Sequence, residues 1–172
     1  NNHKDRLTVV GGADFFGPYV TTNSLLGDIV TGNLVQGKAP MAIGNADRIH
    51  DFCYAPDFAN ALYIASINDQ AYNKFWICPH TIHNRSVREI TNDIGELVCT
   101  TTTKKLKVLP GFGVRILGLF DTLMSEFCEM LPFWTMAYTV NDSDFIETFH
   151  VQPTPYKEAL QSLVDFYKAK QA

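Results

Sequence analysis

Two stretches carry residue types that could do chemistry. "CPHTIH" sets Cys78, His80 and His83 within six residues, a thiol and two imidazoles of the kind that hold a transition metal. Zinc patterns pair such a cluster with a second, distant ligand pair, and neither C-x-x-C nor H-E-x-x-H occurs here. A loop between strand and helix accounts for the same residues, and no metal is expected. The second stretch, "LTVVGGADFFGPYV" from Leu7 to Val20, runs a β-branched strand into glycines. A dinucleotide loop needs glycines where the backbone turns and meets the pyrophosphate. Gly11 and Gly17 fit a G-x-x-G-x-x-G spacing, but Asp14 stands at its middle position, where a carboxylate repels phosphate. Pro18 follows at once, and no acidic strand end appears about 20 residues on. The stretch is therefore a strand and turn with another task.

Other catalytic patterns are absent. No G-x-S-x-G elbow is present. None of Tyr19, Tyr54, Tyr63, Tyr72, Tyr138, Tyr156 and Tyr167 has a lysine four residues on, the partner that would lower a phenol pKa for acid/base work. Asp142 and Asp144 read as helix-start residues. The 172 residues, 46% hydrophobic, suffice for one core, so a single domain or fragment is expected over residues 1–172. A net charge of −4 with 19% charged residues gives no basic patch for nucleic acid and no polybasic arm for a membrane. Cys53, Cys78, Cys99 and Cys128 are widely spaced and read as reduced thiols of a cytoplasmic protein. No apolar run reaches the roughly 18 residues of a membrane span, the polar N-terminus is no signal peptide, and a start at Asn1 reads as a cut piece of something longer.

The elements that must position these residues alternate. Leu7 to Val10 and "KFWIC" read as strands, and "KKLKVLP" as a short strand stopped by Pro110. A helix is expected from Ser24 to Val35, capped by Asn23 and ended by Gly37, with Gly27 and Gly32 weakening it. Asp57 should cap a second, with Phe58, Ala61, Leu62 and Ala65 at helical spacing. Ser86 and Glu89 form a capping box for a third, whose apolar face is Val87, Ile90, Ile94, Leu97 and Val98. Ile116, Leu119, Phe120, Leu123, Met124 and Phe127 make one continuous stripe opposed by Arg115, Asp121, Ser125, Glu126 and Glu129, which should pack on the C-terminal helix or across a subunit boundary. Thr154 should cap that last helix, with Pro155 in its first turn and Tyr156, Ala159, Leu160, Leu163, Val164 and Tyr167 on its inner face. Strands alternating with helices predict an α/β chain.

The order of "ADFFGP", "GK" with a short apolar strand, "HDFCYAPDFANAL", "FWIC", "SVREI" and "DSDFIETFHVQPTPYKEAL" resembles the C-terminal half of the NAD-dependent epimerase/dehydratase family, extended or atypical short-chain dehydrogenases. The resemblance runs from about Leu7 to Tyr167. It implies the C-terminal portion of a Rossmann-like NAD(P)-binding fold with a small substrate-binding subdomain, the nucleotide-binding half being absent. In that family the strand after the catalytic tyrosine and lysine ends in a turn of the type R-P-x-N-x-Y-G-P beside nicotinamide and substrate. Here Gly11 and Gly12 stand for Arg-Pro, Asp14 for Asn and Phe16 for Tyr, while Gly17-Pro18 match. The family's R-D-F-x-Y-V-x-D segment is matched at Asp51, Phe52, Tyr54 and Asp57, with His50 in place of the arginine. A histidine lacks the guanidinium fork that grips phosphate, which tells against a nucleotide-sugar substrate.

The resemblance thus implies substrate contacts from Asp14, Phe16, His50 and Tyr54 in one cleft, and cofactor contacts from Gly12 and Ala13. It implies NAD or NADP in the full-length protein, none bound to this chain alone, and no catalytic residue within it. The expected partners are a small-molecule substrate and a second copy in a homo-oligomer. The alternative is a non-catalytic domain of that fold, binding a small ligand or a protein.

Overall fold

The computed structural model describes residues 7–20, 24–98, 104–120 and 122–171. In chain order they form β1 (Thr8–Gly11), β2 (Asp14–Phe16), a π-helical stretch (Leu25–Gly32) running into α1 (Asn33–Val35), β3 (Met41–Ile43), β4 (Phe52–Tyr54), α2 (Ala55–Ile67), β5 (Lys74–Ile77), α3 (Val87–Val98), β6 (Lys107–Leu109), α4 (Gly111–Leu117), α5 (Thr122–Thr135), α6 (Ser143–Phe149) and α7 (Tyr156–Ala169). The strands make three parallel pairs, β1 with β5, β2 with β4 and β3 with β6. Parallel pairs need crossovers, and helices supply them. The chain is a mixed α/β fold.

Two cores flank β4. Phe52 and Tyr54 join Phe16, Leu26, Ile90 and Leu163 in the larger, whereas Cys53 joins Trp76, Cys78 and Phe145 in the smaller. The alternation follows from the two-residue period of a strand buried on both faces.

The capping box forms as expected: the Ser86 N–H donates to Glu89 Oε2 at 2.8 Å and the Glu89 N–H to Ser86 Oγ at 3.2 Å. The inner face of α7 is buried from Ala159 to Tyr167. Other caps differ. Asn23 lies outside the described residues, and Ser24 Oγ accepts from the Gly27 N–H at 3.1 Å. The glycines that weaken this helix let α7 approach, since a Cβ on Gly27 would stand 2.8 Å from Tyr167 Oη and one on Gly32 3.2 Å from its ring. Asp57 is not a cap, because Pro56 fits the first turn and α2 begins at Ala55. Its carboxylate instead accepts from the Thr154 N–H at 2.9 Å, Thr154 Oγ1 at 2.7 Å and Thr81 Oγ1 at 2.8 Å. Thr154 is thereby taken, and Pro155 stands at the N-cap of α7.

The continuous stripe is overturned. Gly118 ends α4, and Leu119 and Phe120 lie in a turn before α5. Helical spacing ran through a residue that favours helix ends. α4 and α5 pack on each other, and the first part of the stripe is bare, Ile116 being 54%, Leu119 78% and Phe120 86% exposed, whereas Phe127 is half-buried. Asp121 and Cys99 lie outside the described residues, as do the side chains of Leu123 and Met124. Among the described residues no helix is long and apolar enough to cross a membrane.

Candidate functional site

Asp14 opens β2, and the register sets it opposite Phe52 of β4. His50, two residues before Phe52, is held by its N–H to Arg85 O at 2.9 Å. Its Nε2–H donates to Asp14 Oδ2 at 2.6 Å. The imidazole is sealed by aromatic rings: Trp134 stacks on it at 4.4 Å with planes 1° apart, and Phe52 and Tyr138 flank it at 4.8 and 5.0 Å. The His50 side chain is 3% exposed and that of Asp14 46%. Asp14 therefore faces solvent from a fixed mount, lining a cavity of about 210 Å³ with Phe15, Val20, Ser24, Leu25, Phe52 and Trp134. Burial, and then the negative charges of Asp14 and Asp51, raise the Tyr138 phenol above its ordinary range.

Asp14 and His50 thus meet, but Phe16 and Tyr54 do not reach solvent beside them. Phe16 is fully buried against the Tyr54 ring at 5.3 Å, and Tyr54 Oη donates to Ser162 Oγ on α7 at 3.0 Å. As aromatic residues on inward positions of paired strands they back the cleft from the core. Ala13 is also withdrawn, its N–H donated to His80 Nε2 at 2.8 Å. Of the expected cofactor pair only Gly12 is partly open, packed so closely that a Cβ would stand 3.1 Å from Cys78 Sγ and 3.3 Å from the Phe15 ring. The turn leads from β1 into β2 rather than into a helix. It has no helix N-terminus to receive a pyrophosphate, so the residues present do not fit that part of a dinucleotide.

The "CPHTIH" residues divide. His83 bridges two carboxylates, Nδ1 lying 3.3 Å from Asp51 Oδ2 and Nε2 3.1 Å from Asp142 Oδ2. Asp51 is buried and also accepts from the N–H groups of Asn84 and Val140 at 3.1 and 3.0 Å. Asp142 accepts from the His80 N–H at 2.7 Å. Burial opposes its ionisation, but hydrogen bonding from His80 and the positive charge of His83 outweigh that and hold the carboxyl below its usual value.

Cys53, Cys78 and His80 do gather, fully buried, with possible ligand atoms all within 4.8 Å of one another. The hydrogen bonding does not suit a metal. The Nε2 lone pair of His80 is spent on the Ala13 N–H, so Nδ1 carries the proton, and ligation through Nδ1 would require that proton on Nε2, pointed at the Ala13 N–H.

Sequence spacing gave no sign of Trp134 and Tyr138, which come from more than 80 residues away, or of Asp142 as the partner of His83. Only tertiary structure assembles them.

No protein-family model matches this sequence, and no curated protein matches it. Solved structures do. A UDP-glucose 4-epimerase from Thermotoga maritima, solved with UDP-glucose, superposes with a TM-score of 0.71 at 15% identity, over 99% of this chain and 48% of that one. A dTDP-glucose 4,6-dehydratase double mutant from Streptomyces venezuelae with NAD bound gives 0.72 at 10%, over 99% and 46%. The dTDP-glucose 4,6-dehydratase of Bacillus anthracis in complex with NAD gives 0.67 at 15%, over 95% and 45%. The fold is Rossmann-like, of the kind these epimerases and dehydratases share, and the chain spans about half their length.

Proposed function

We propose that this chain is the substrate-binding half of an NAD(P)-dependent epimerase, dehydratase or reductase-like oxidoreductase, a single domain over residues 1–172 that performs no chemistry alone. The observation that carries this is the parallel β1–β5 ribbon. Parallel strands belong in sheets covered on both faces, yet Leu7, Val9 and Phe75 are 66%, 45% and 65% exposed. In a chain that spans about half the length of the enzymes it matches, that bare apolar ribbon fits the place where a nucleotide-binding half would complete the sheet.

Asp14 supplies the substrate contact. Its carboxylate accepts hydrogen bonds from hydroxyl or amino groups, His50 fixes its direction, and Phe16 and Tyr54 support it from behind. His50, pinned to Asp14 and stacked on Trp134, offers a phosphate no second donor. Cofactor and catalytic tyrosine belong to the other half. The bare α4–α5 face favours a second reading, in which the domain binds a protein partner.

Titration of NADH and NADPH into this chain and into the chain extended upstream separates the two. The short chain should show no saturable binding, because without pyrophosphate donors several charge-assisted hydrogen bonds of about 1.5–3 kcal/mol each are missing. The extended chain should bind and turn over. Micromolar binding to the short chain, or none to either, overturns the proposal.

A further inference from the structure

Two reactive groups outside the Asp14 cleft, Cys53 and Cys78, are fully buried. Their sulfurs lie 3.0 Å apart. Backbone pairing sets this approach. Cys53 is held at the centre of β4 opposite Phe15, and the Cys78 N–H donates to Gly11 O at 2.9 Å just beyond β5. The two strands belong to separate parallel pairs with no ladder between them, so the sulfurs meet across a side-chain seam. Hydrogen bonding to Cys78, and then burial, push the Cys53 thiol far above its ordinary range, as a neutral thiol pair requires.

We propose that Cys53 and Cys78 form an internal disulfide when the chain folds in the presence of a small-molecule disulfide such as oxidised glutathione. One thiol gives up its proton, and its thiolate attacks a glutathione sulfur, releasing one glutathione thiolate that takes a proton. The second cysteine, deprotonated in turn, attacks the protein sulfur of the mixed disulfide and releases the second glutathione. Two protein thiols are oxidised and one glutathione disulfide is reduced to two glutathiones. A disulfide requires the sulfurs to close by about 1 Å. Since neither sulfur is exposed, exchange takes place before the seam closes, and the finished bond is shielded from reductant by the same burial. The bond ties β4 to the end of β5 directly beneath Gly12 and two residues from His80, which holds the Ala13 N–H. It would lock the turn that presents Asp14. This inference does not depend on the oxidoreductase reading.

The test refolds reduced, denatured protein in a glutathione redox buffer, then alkylates it under denaturing conditions before intact mass and peptide mapping. Two of the four cysteines should be protected, in a single Cys53–Cys78 peptide pair. The C99S/C128S variant, which keeps only this pair, should give the same crosslink. The oxidised protein should melt roughly 5–10 °C above the reduced form, from closing the 25-residue separation. Four alkylated cysteines, a crosslink to Cys99 or Cys128, or unchanged melting overturns the proposal. So does one tightly held zinc per chain after equilibration with Zn²⁺, lost in Cys53→Ala, which would make the cluster a metal centre.

Discussion

Replacing Asp14 and His50 singly and together tests whether the pair is a fixed mount. Asp14→Ala takes the acceptor from a buried N–H. An orphaned donor costs about 1–3 kcal/mol, but the Asp14 side chain is 46% exposed and water can replace it, so the loss should be about 1 kcal/mol. His50→Ala removes a ring packed among Trp134, Phe52 and Tyr138. Truncating a buried aromatic costs about 3–5 kcal/mol, and a smaller imidazole sets the expectation near 3. The double variant has no hydrogen bond left to break, so it should be less destabilised than the sum of the singles by about 1 kcal/mol. His50→Phe keeps a ring against Trp134 and loses only the bond, and should fall close to Asp14→Ala. Urea denaturation at pH 7 measures all four, each kcal/mol lowering Tm by about 2–4 °C. Trp134 fluorescence should change in His50→Ala and stay near wild type in Asp14→Ala. Additivity within about 0.3 kcal/mol, or a larger cost for Asp14→Ala than for His50→Ala, refutes the mount.

Asp142 is held below its ordinary value of 3.8, and a carboxyl with a depressed folded pKa adds stability above its unfolded pKa that is lost as pH falls through the folded one. Asp142→Asn should therefore cost about 1–2 kcal/mol at pH 7, and the gap to wild type should narrow as the pH falls below that ordinary value; a pH-independent gap in urea midpoints would contradict the His80 and His83 contacts. Phe120→Asp, at a side chain 86% exposed, should leave stability within about 0.5 kcal/mol and raise the concentration at which light scattering begins. Loss of the folded signal would mean that the α4–α5 face is covered.

What could be read from sequence was what is local. Ser86 and Glu89 reach each other because a helix start puts them three residues apart, and the α7 face follows from a 3.6-residue period. The α/β alternation needed no more. The misreadings arose where a local rule met a distant competitor. Asp57 has the composition of a cap, but Thr81 and Thr154 supply its partners. Gly27 weakens a helix in isolation, and its missing side chain is what lets Tyr167 pack. Phe16 and Tyr54 stand at positions the resemblance gave to a ligand, and only the register of β2 on β4 turns them inward. The stripe from Ile116 to Phe127 kept its period in sequence while Gly118 broke the helix that would have presented it.

The concentration of tertiary contacts in "HDFCY" has a single physical origin. A strand buried on both faces and begun by a loop sends successive side chains into different compartments. His50 goes to the Asp14 cleft, Asp51 to the His83 bridge, Phe52 and Tyr54 to the larger core, and Cys53 to the smaller. Each contact therefore constrains the others through about five residues of backbone. A shift of β4 by one residue would exchange the two faces, pushing a phenylalanine against Cys78 and a thiol into the core of α7. The penalty for such a slip is spread over both cores, and this is why an exposed carboxylate on a three-residue strand can hold a fixed direction. Asp14 owes its position less to β2, which is short and partly exposed, than to the pairing that β4 enforces on it.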